Sequence, residues 1–237
     1  RRDGAGVGAS TGGGGLASAI PLVTKGRGEA DGSNLDANYF LGIDAATGVL
    51  VADFEDTGGA PNNHPVSGVT PITTDSWYHA AASYDGDTWR LYLNGNLEVT
   101  QSEGGATPRS DSLQHAGIAT ALTSTGAPAG FFDGSIDEVR VWGVARSDAE
   151  IANASLDEVA DDPDLAGRWG LNQGAGASAA NSVAGGSTGT LTNGPAWDAG
   201  SPFDYAFGLA FDGADDYVTF GNDAALGLAT FTLELWF

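Results

Sequence analysis

The sequence contains neither cysteine nor methionine. Without cysteine, the chain has no disulfide framework, no thiol nucleophile and no thiolate metal site. It also lacks any apolar run approaching the roughly 20 residues that a membrane-spanning helix requires. Its chemistry therefore depends on carboxylates, hydroxyls, amides, aromatic rings and a few basic groups.

Basic residues are scarce as well. Eight arginines and one lysine, Lys25, stand against 31 acidic residues, and the formal net charge is −22. A field of this sign repels phosphate backbones and anionic lipids, so we expect no nucleic-acid partner and no membrane insertion. Two interpretations of the acidity remain open: solvation of an exposed surface, and binding of divalent cations.

Hydrophobic residues make up 41% of the chain, and their pattern predicts strands. In the segment 77–99, three stretches are separated by Asp85-Gly86 and Asn94-Gly95, dipeptides that accept positive φ in hairpin turns. Further strands are predicted at 39–43, 49–54, 113–118, 134–142, 167–171, 207–211, 217–220 and from 231 onward. Their number and spacing indicate an all-β sandwich.

One segment predicts a helix. Ser147 precedes Asp148-Ala149-Glu150-Ile151, and Glu150 stands three residues after Ser147, as in a capping box. We expect a short helix near 147–153. Residues 154–164 are rich in aspartate and contain Pro163, which predicts an extended acidic linker.

The pattern of residues 231–237 is that of a strand interrupted before its end. Phe231, Leu233, Leu235 and Phe237 alternate with residues of the opposite face, as in a strand with one buried face. Joining Phe237 to Arg1 continues this alternation. We therefore predict that these five residues form an assembly point, with Phe237 and Arg1 as covalent or spatial neighbours.

Several motifs together carry a family resemblance. They are Trp77-Tyr78-His79, Tyr84-Asp85-Gly86, Leu91-Tyr92-Leu93-Asn94-Gly95, Phe132-Asp133-Gly134-Ser135-Ile136-Asp137-Glu138-Val139-Arg140-Val141-Trp142, Phe211-Asp212-Gly213 and Phe231-Thr232-Leu233-Glu234-Leu235-Trp236. In combination they resemble laminin G-like domains of the concanavalin A-like lectin/glucanase superfamily. The resemblance implies a jelly-roll sandwich of two antiparallel sheets.

The order of these motifs is rotated relative to the family. Residues 1–153 resemble the C-terminal portion of one unit, and residues 165–237 resemble the N-terminal portion of the next unit or of the same unit completed in trans. Three arrangements fit: a tandem repeat, subunits that complete one another, and a circular permutant of one domain. The first two imply copies of the chain as partners.

The resemblance also implies calcium, which laminin G-like domains often bind. The segments 132–139 and 211–218 share the spacing Phe-Asp-Gly-x-x-Asp-x-Val on strands that the family places near each other. Calcium requires six to eight oxygen ligands, many of them from loops at strand ends. The candidate ligands, in order of preference, are Asp212, Asp137, Asp215 and Asp133. The alternative is that these aspartates close Asp-Gly turns by bonding their own backbone.

The sequence argues against an enzyme. Glucanases of the superfamily carry Glu-x-Asp-x-x-Glu on one strand, and Glu29-Ala30-Asp31 lacks the closing glutamate. Trp89 and Tyr92 are the candidates for stacking on sugar rings. The alternative for these aromatic side chains is packing within the sandwich.

These observations predict a non-enzymatic, extracellular or cell-surface repeat module of an adhesin or filament. Copies would assemble end to end through the strand shared by Phe237 and Arg1. The alternative is a carbohydrate-binding module of a secreted multidomain hydrolase, with glycans as partners.

Overall fold

Alternating apolar residues separated by glycine-rich turns form short antiparallel strands in the computed structural model, which describes residues 1–58, 62–159, 161–203 and 207–237. In the first part of the chain these are β1 (Ala19–Lys25), β2 (Tyr39–Asp44), β3 (Val49–Asp53), β4 (Val66–Pro71), β5 (His79–Tyr84), β6 (Thr88–Leu93), β7 (Asn96–Ser102), β8 (Ala116–Ile118), β9 (Ala121–Leu122), β10 (Pro128–Ala129) and β11 (Asp133–Trp142). Helix α1 (Asp148–Ala154) follows β11. The remaining elements are β12 (Leu165–Trp169), β13 (Ser178–Ala179), β14 (Gly189–Thr192), β15 (Ala196–Asp198), β16 (Gly208–Asp212), β17 (Tyr217–Gly221), a 3₁₀ helix (Ala224–Leu226) and β18 (Phe231–Trp236).

The strands form two large sheets. The first has the order β13-β14-β17-β8-β1-β2-β3-β4, and the second has the order β15-β16-β11-β18-β5-β6-β7 with β12 beside β11. Strands β9 and β10 form a separate small hairpin sheet. The predicted all-β class, a sandwich of two antiparallel sheets with one short helix, is confirmed.

The main core lies between the two sheets. Phe231, Leu233, Leu235 and Phe237 contribute to it from β18 and the residue after it. The ring of Phe231 lies 5.5 Å from that of Trp89 on β6, in an edge-to-face arrangement. Period-2 alternation therefore identifies the side of β18 that faces the opposite sheet.

The other face of β18 is buried too, so the expectation of one buried face is wrong. Thr232 and Glu234 point away from the main core yet are fully buried. Helix α1 covers this outer face, where Ile151 packs on Ala81 and Tyr92. The second sheet is thus enclosed on both sides over part of its area.

The local signals for helix α1 are confirmed. The Ser147 side chain accepts a hydrogen bond from the Glu150 amide, and the Glu150 carboxylate accepts one from the Ser147 amide at 2.8 Å. This reciprocal capping fixes the start of the helix. In the part of the chain that the structure describes, no helix is long and apolar enough to cross a membrane.

The predicted linker, 154–164, is held against the second sheet over much of its length. The Arg140 guanidinium donates to the carbonyl oxygens of Ala154 at 2.9 Å and Asp157 at 2.6 Å. The Val159 amide donates to Glu138 at 3.1 Å. Residue 160 of the predicted linker lies outside the described residues. The segment therefore covers a buried ionic group in addition to connecting helix α1 to β12.

Strand β1 is a central strand that the sequence pattern does not predict. All seven of its residues are buried. Pro21 interrupts the pattern, and the register between β1 and β2 shifts at this point, between Pro21 and Val23. A bulge of this kind is where proline is tolerated inside a sheet, because the missing amide donor falls at a break in the ladder.

Residues 1–3 lie beside β11 in the register of β18. Trp236 pairs with Asp137, Arg1 exchanges backbone hydrogen bonds with Ser135, and Arg2 forms a bridge with Gly134. Counting along β11, Arg1 and Arg2 occupy the two places that would follow Phe237 in one uninterrupted strand. Residues 1–153 and 165–237 thereby contribute strands to the same sheets.

Gly134→Ala tests the pairing of residues 1–3 with β11. Gly134 has φ +143°, and an added Cβ would collide with the carbonyl oxygen of Arg1. We expect a loss of about 2 to 4 kcal/mol in the free energy of unfolding and faster hydrogen exchange at the Ser135 amide. Gly143→Ala is the control, because its Cβ would meet its nearest atom only at 3.7 Å. Equal stabilities of the two variants would contradict the pairing.

Candidate functional site

Three of the aspartates around the β16–β17 turn converge. Carboxylate oxygens of Asp212, Asp215 and Asp216 all lie within 4.8 Å of one another. Asp212 is also opposite Asp133 in the register of β16 and β11. The structure thus brings together Asp212 and Asp215, places Asp133 across from them, and adds Asp216.

The same aspartates also make the turn contacts of the alternative interpretation. Asp212 accepts hydrogen bonds from the amides of Ala214 at 2.9 Å and Asp215 at 3.3 Å. These bonds lower the pKa of Asp212, the one from Ala214 most strongly. Its carboxylate is therefore ionised, and a turn role accounts for its position without an ion.

Asp137 lies apart from this group. It is four residues along β11 from Asp133, which corresponds to about 13 Å in a strand. It is fully buried and accepts hydrogen bonds from Ser201 Oγ at 2.6 Å and the Glu138 amide at 2.7 Å. Burial raises its pKa to about 7. Asp137 thus does not share a binding site with Asp212.

A second acidic group, which the sequence reasoning missed, is more deeply buried. Asp36 and Glu55 are both fully buried, and one carboxylate oxygen of each has no hydrogen-bond partner among the described residues. Burial, and to a smaller extent the nearby charges of Glu55 and Asp31, raise the pKa of Asp36 to about 8. Asn62 is also buried, and its side-chain oxygen has no partner among the described residues. Its side-chain nitrogen donates to Glu55 Oε1 at 3.4 Å.

Unpaired buried oxygens are costly unless something satisfies them. Arg109 is the nearest basic group to Glu55, at 3.9 Å, and it lies beyond hydrogen-bond distance. A hard cation, or a proton shared between Asp36 and Glu55, would satisfy these oxygens. The only sequence signal was the polar run from Asp31 to Asp36, which reads equally well as a turn-rich loop.

Trp89 and Tyr92 are both fully buried, so the prediction that they stack on sugar rings is wrong. Trp89 Nε1 donates to the carbonyl oxygen of His64 at 2.9 Å, inside the main core. Tyr92 lies beneath helix α1 and donates to Asp148 at 2.8 Å. Alternating aromatics here serve packing, as the alternative interpretation held.

The outer face of the second sheet holds a buried ionic network. Glu138 accepts two hydrogen bonds from Arg168, both at 2.7 Å, and one from Arg140 at 3.0 Å. Glu234 accepts from Trp142 Nε1 at 3.0 Å and from Arg140 at 3.3 Å. Glu138 and Glu234 are fully buried. Carboxylates committed in this way are not positioned as the acid and nucleophile of a glycosidase.

The geometry defines a β-sandwich protein. It has acidic loops at its strand ends, and the outer face of its second sheet is covered. The laminin G family model for the concanavalin A-like lectin/glucanases superfamily matches residues 15–152. The chain therefore belongs to this superfamily, which confirms the resemblance drawn from its motifs.

Among solved structures, the chain is similar to that of a "putative carbohydrate binding protein" from Bacteroides ovatus. The two share 15% sequence identity, and the TM-score is 0.46. The similarity covers 92% of this chain and 53% of the other, so this chain spans about half the length of that protein. No curated protein matches the sequence.

Asp137→Asn separates a buried structural aspartate from a metal ligand. Because the folded-state pKa lies above the unfolded value, the stability contributed by protonated Asp137 is present below about pH 4 and is lost as pH rises through about 7. We expect the neutral amide to raise the free energy of unfolding at pH 8 by about 1 to 2 kcal/mol and to flatten its pH profile. Urea unfolding from pH 4 to 8 measures both. Lower stability of the variant at pH 8 only when calcium is present would instead identify Asp137 as a ligand.

Proposed function

We propose that the chain is a non-enzymatic, extracellular lectin-like module of a surface adhesin or filament, with carbohydrate as its ligand. Membership of a superfamily that includes lectins supports the ligand class. The observation that carries the non-enzymatic part is the commitment of Glu138 and Glu234 to buried ion pairs beneath helix α1 and the segment that follows it. The alternative function is a carbohydrate-binding module of a secreted hydrolase. It would bind the same class of ligand and would differ in being attached to a catalytic domain.

The extracellular setting is supported by composition. A net charge of −22 with only one lysine favours solubility and opposes non-specific aggregation. The absence of cysteine leaves no thiol that an oxidising exterior would modify. Both features suit a module displayed at a surface among many copies of itself.

A glycan array, probed with the whole chain in buffers containing either calcium or EGTA, tests the ligand class. We expect binding to at least one carbohydrate and no release of reducing sugar from it on long incubation. Binding to no carbohydrate would refute the lectin-like function. Sugar release that follows the protein through purification would refute the non-enzymatic assignment.

Calcium is the second part of the proposal. The site with Asp36, Glu55 and Asn62 fits it better than the β16–β17 turn, because each of its three side chains has one buried oxygen without a partner among the described residues. Asp212 is exposed, and its Oδ1 already accepts two amide hydrogen bonds. Bound calcium would neutralise two buried carboxylates and fix the loops that carry them. Asp212, Asp215 and Asp133 remain an exposed, weaker candidate site.

Asp36→Asn and Asp212→Asn discriminate between the two calcium positions. An ion at 100 times its dissociation constant stabilises the native state by about 2.7 kcal/mol, so calcium is expected to raise the Tm of the wild type by several degrees. Asp36→Asn should abolish most of this rise, and Asp212→Asn should leave it intact. Thermal scans in calcium and in EGTA measure the rise in Tm for the wild type and for each variant. If the wild type shows no rise, the calcium proposal fails and the Asp36–Glu55 pair shares a proton instead.

End-to-end assembly through Phe237 and Arg1 is the third part. Arg1 donates and accepts backbone hydrogen bonds with Ser135, while Phe237 does so with Tyr78. This register is compatible with a peptide bond between Phe237 and Arg1 in a longer chain of repeats. It is equally compatible with residues 1–3 or β18 donated by a neighbouring copy, because backbone pairing is indifferent to which chain supplies the strand.

The native mass tests assembly. A multiple of the 23.9 kDa repeat mass in denaturing mass spectrometry indicates covalent repeats. A 23.9 kDa chain that elutes as a polymer in size exclusion with light scattering indicates exchange of strands between copies. A monodisperse monomer of these residues in both measurements would contradict the assembly proposal.

A further inference from the structure

A polar groove lies where the start of helix α1 meets the β5–β6 hairpin of the second sheet. It has a volume of about 600 Å³, within the range of about 300 to 1,000 Å³ typical of small-molecule sites. Its charged lining comprises Asp85, Arg90, Arg146, Asp148 and Glu150, and Ala145 and Ala149 leave room between them. The groove is separate from both acidic sites described above.

Arg146 offers unused hydrogen-bond donors to this groove. Its guanidinium carbon lies over the Trp142 ring, 3.9 Å from the ring centre, in a cation–π contact. Its nearest acidic atoms belong to Asp162 at 3.8 Å and Glu150 at 4.0 Å, both beyond hydrogen-bond distance. Its Nε is buried without a partner among the described residues. The side chain is thus held in place by packing while its donors remain free.

Two acceptors of the groove, Asp148 and Glu150, are each held through one carboxylate oxygen and are free at the other. Asp148 accepts from the Tyr92 hydroxyl at 2.8 Å through a single carboxylate oxygen. Glu150 accepts from the Ser147 amide and hydroxyl at 2.8 and 2.7 Å through Oε2, and these bonds lower its pKa. Arg90 uses one of its terminal nitrogens on Asp85 at 2.7 Å. Donors and acceptors therefore line the same surface.

We propose that this groove is the carbohydrate-binding site and that its ligand is a neutral saccharide. The inference rests on the proposed lectin-like function and assigns it a place. A sugar hydroxyl both donates and accepts, so it can accept from Arg90 or Arg146 while it donates to Asp148 or Glu150. Two arginines against three carboxylates leave a net charge of −1, which disfavours an acidic sugar. With buried aromatics and only alanines as apolar lining, affinity comes from hydrogen bonds and is modest.

The test uses the whole chain and named neutral probes: cellotriose, xylotriose, mannotriose and maltotriose, with trigalacturonic acid as the acidic comparison. Calorimetry measures the dissociation constant for each, and NMR follows the Nε–H signals of Arg90 and Arg146. We expect at least one neutral trisaccharide to bind and to shift both arginine signals. Exclusive binding of the acidic probe would overturn the neutral-ligand assignment.

Two variants locate the ligand. Arg146→Gln removes a charged donor, and a tenfold or larger rise in the dissociation constant is expected. Ala149→Trp fills the groove from an exposed helix position without removing a polar group, so it should abolish binding. The matched controls are Asn153→Trp and Arg27→Ala. Asn153 is exposed on the same helix but outside the groove, and Arg27 follows β1 of the first sheet. Tm values confirm that each variant is folded.

The outcomes separate the groove from the general function. If a neutral glycan binds and Ala149→Trp and Arg146→Gln leave its affinity unchanged, the groove assignment is overturned while the lectin-like function stands. If the wild type binds none of the probes and no glycan on the array, both fail. Loss of binding in the two groove variants, with both controls unchanged, supports the proposal.

Discussion

Strand β11 is the element on which the rest of the structure depends. Its ten residues are almost all buried, so each backbone donor and acceptor requires a partner within the protein. β16 and residues 1–3 supply partners near its start, and β12 and β18 supply them further along. Because these partners come from both ends of the sequence, satisfying one strand draws residues 1–153 and 165–237 into one sandwich.

The outer face of β11 and β18 imposes the second constraint. Arg140 is fully buried, and a buried charge is destabilising unless it is paired and hydrogen-bonded. Glu138 and Glu234 supply the opposite charges, and the carbonyl oxygens of Ala154 and Asp157 satisfy the remaining donors. The segment after helix α1 is therefore required to close the network, and by closing it removes these glutamates from chemistry. The proposed binding sites lie elsewhere, in the loops and in the groove beside the helix.

Local signals predicted those elements whose geometry is set by neighbouring residues. Strand β6 lies between the predicted Asp-Gly and Asn-Gly turns, which enclose it on both sides. Helix α1 follows from Ser147 and Glu150, which cap it whatever the surroundings. Strand β1 was missed because Pro21 is compatible with a central strand only at a bulge, and a bulge is defined by the partner strand.

The sequence by itself determined the fold class, the family and the acidic character, since alternation, turn residues and charge are properties of short segments. The tertiary structure alone decided the sites. Asp137 ranked above Asp133 among the predicted ligands, yet only Asp133 lies opposite Asp212, because strand pairing compares positions between strands. Trp89 and Tyr92 became buried because both faces of their strand are covered. Asp36 meets Glu55 only where the segments before β2 and after β3 pack together, which is a property of the whole folded chain.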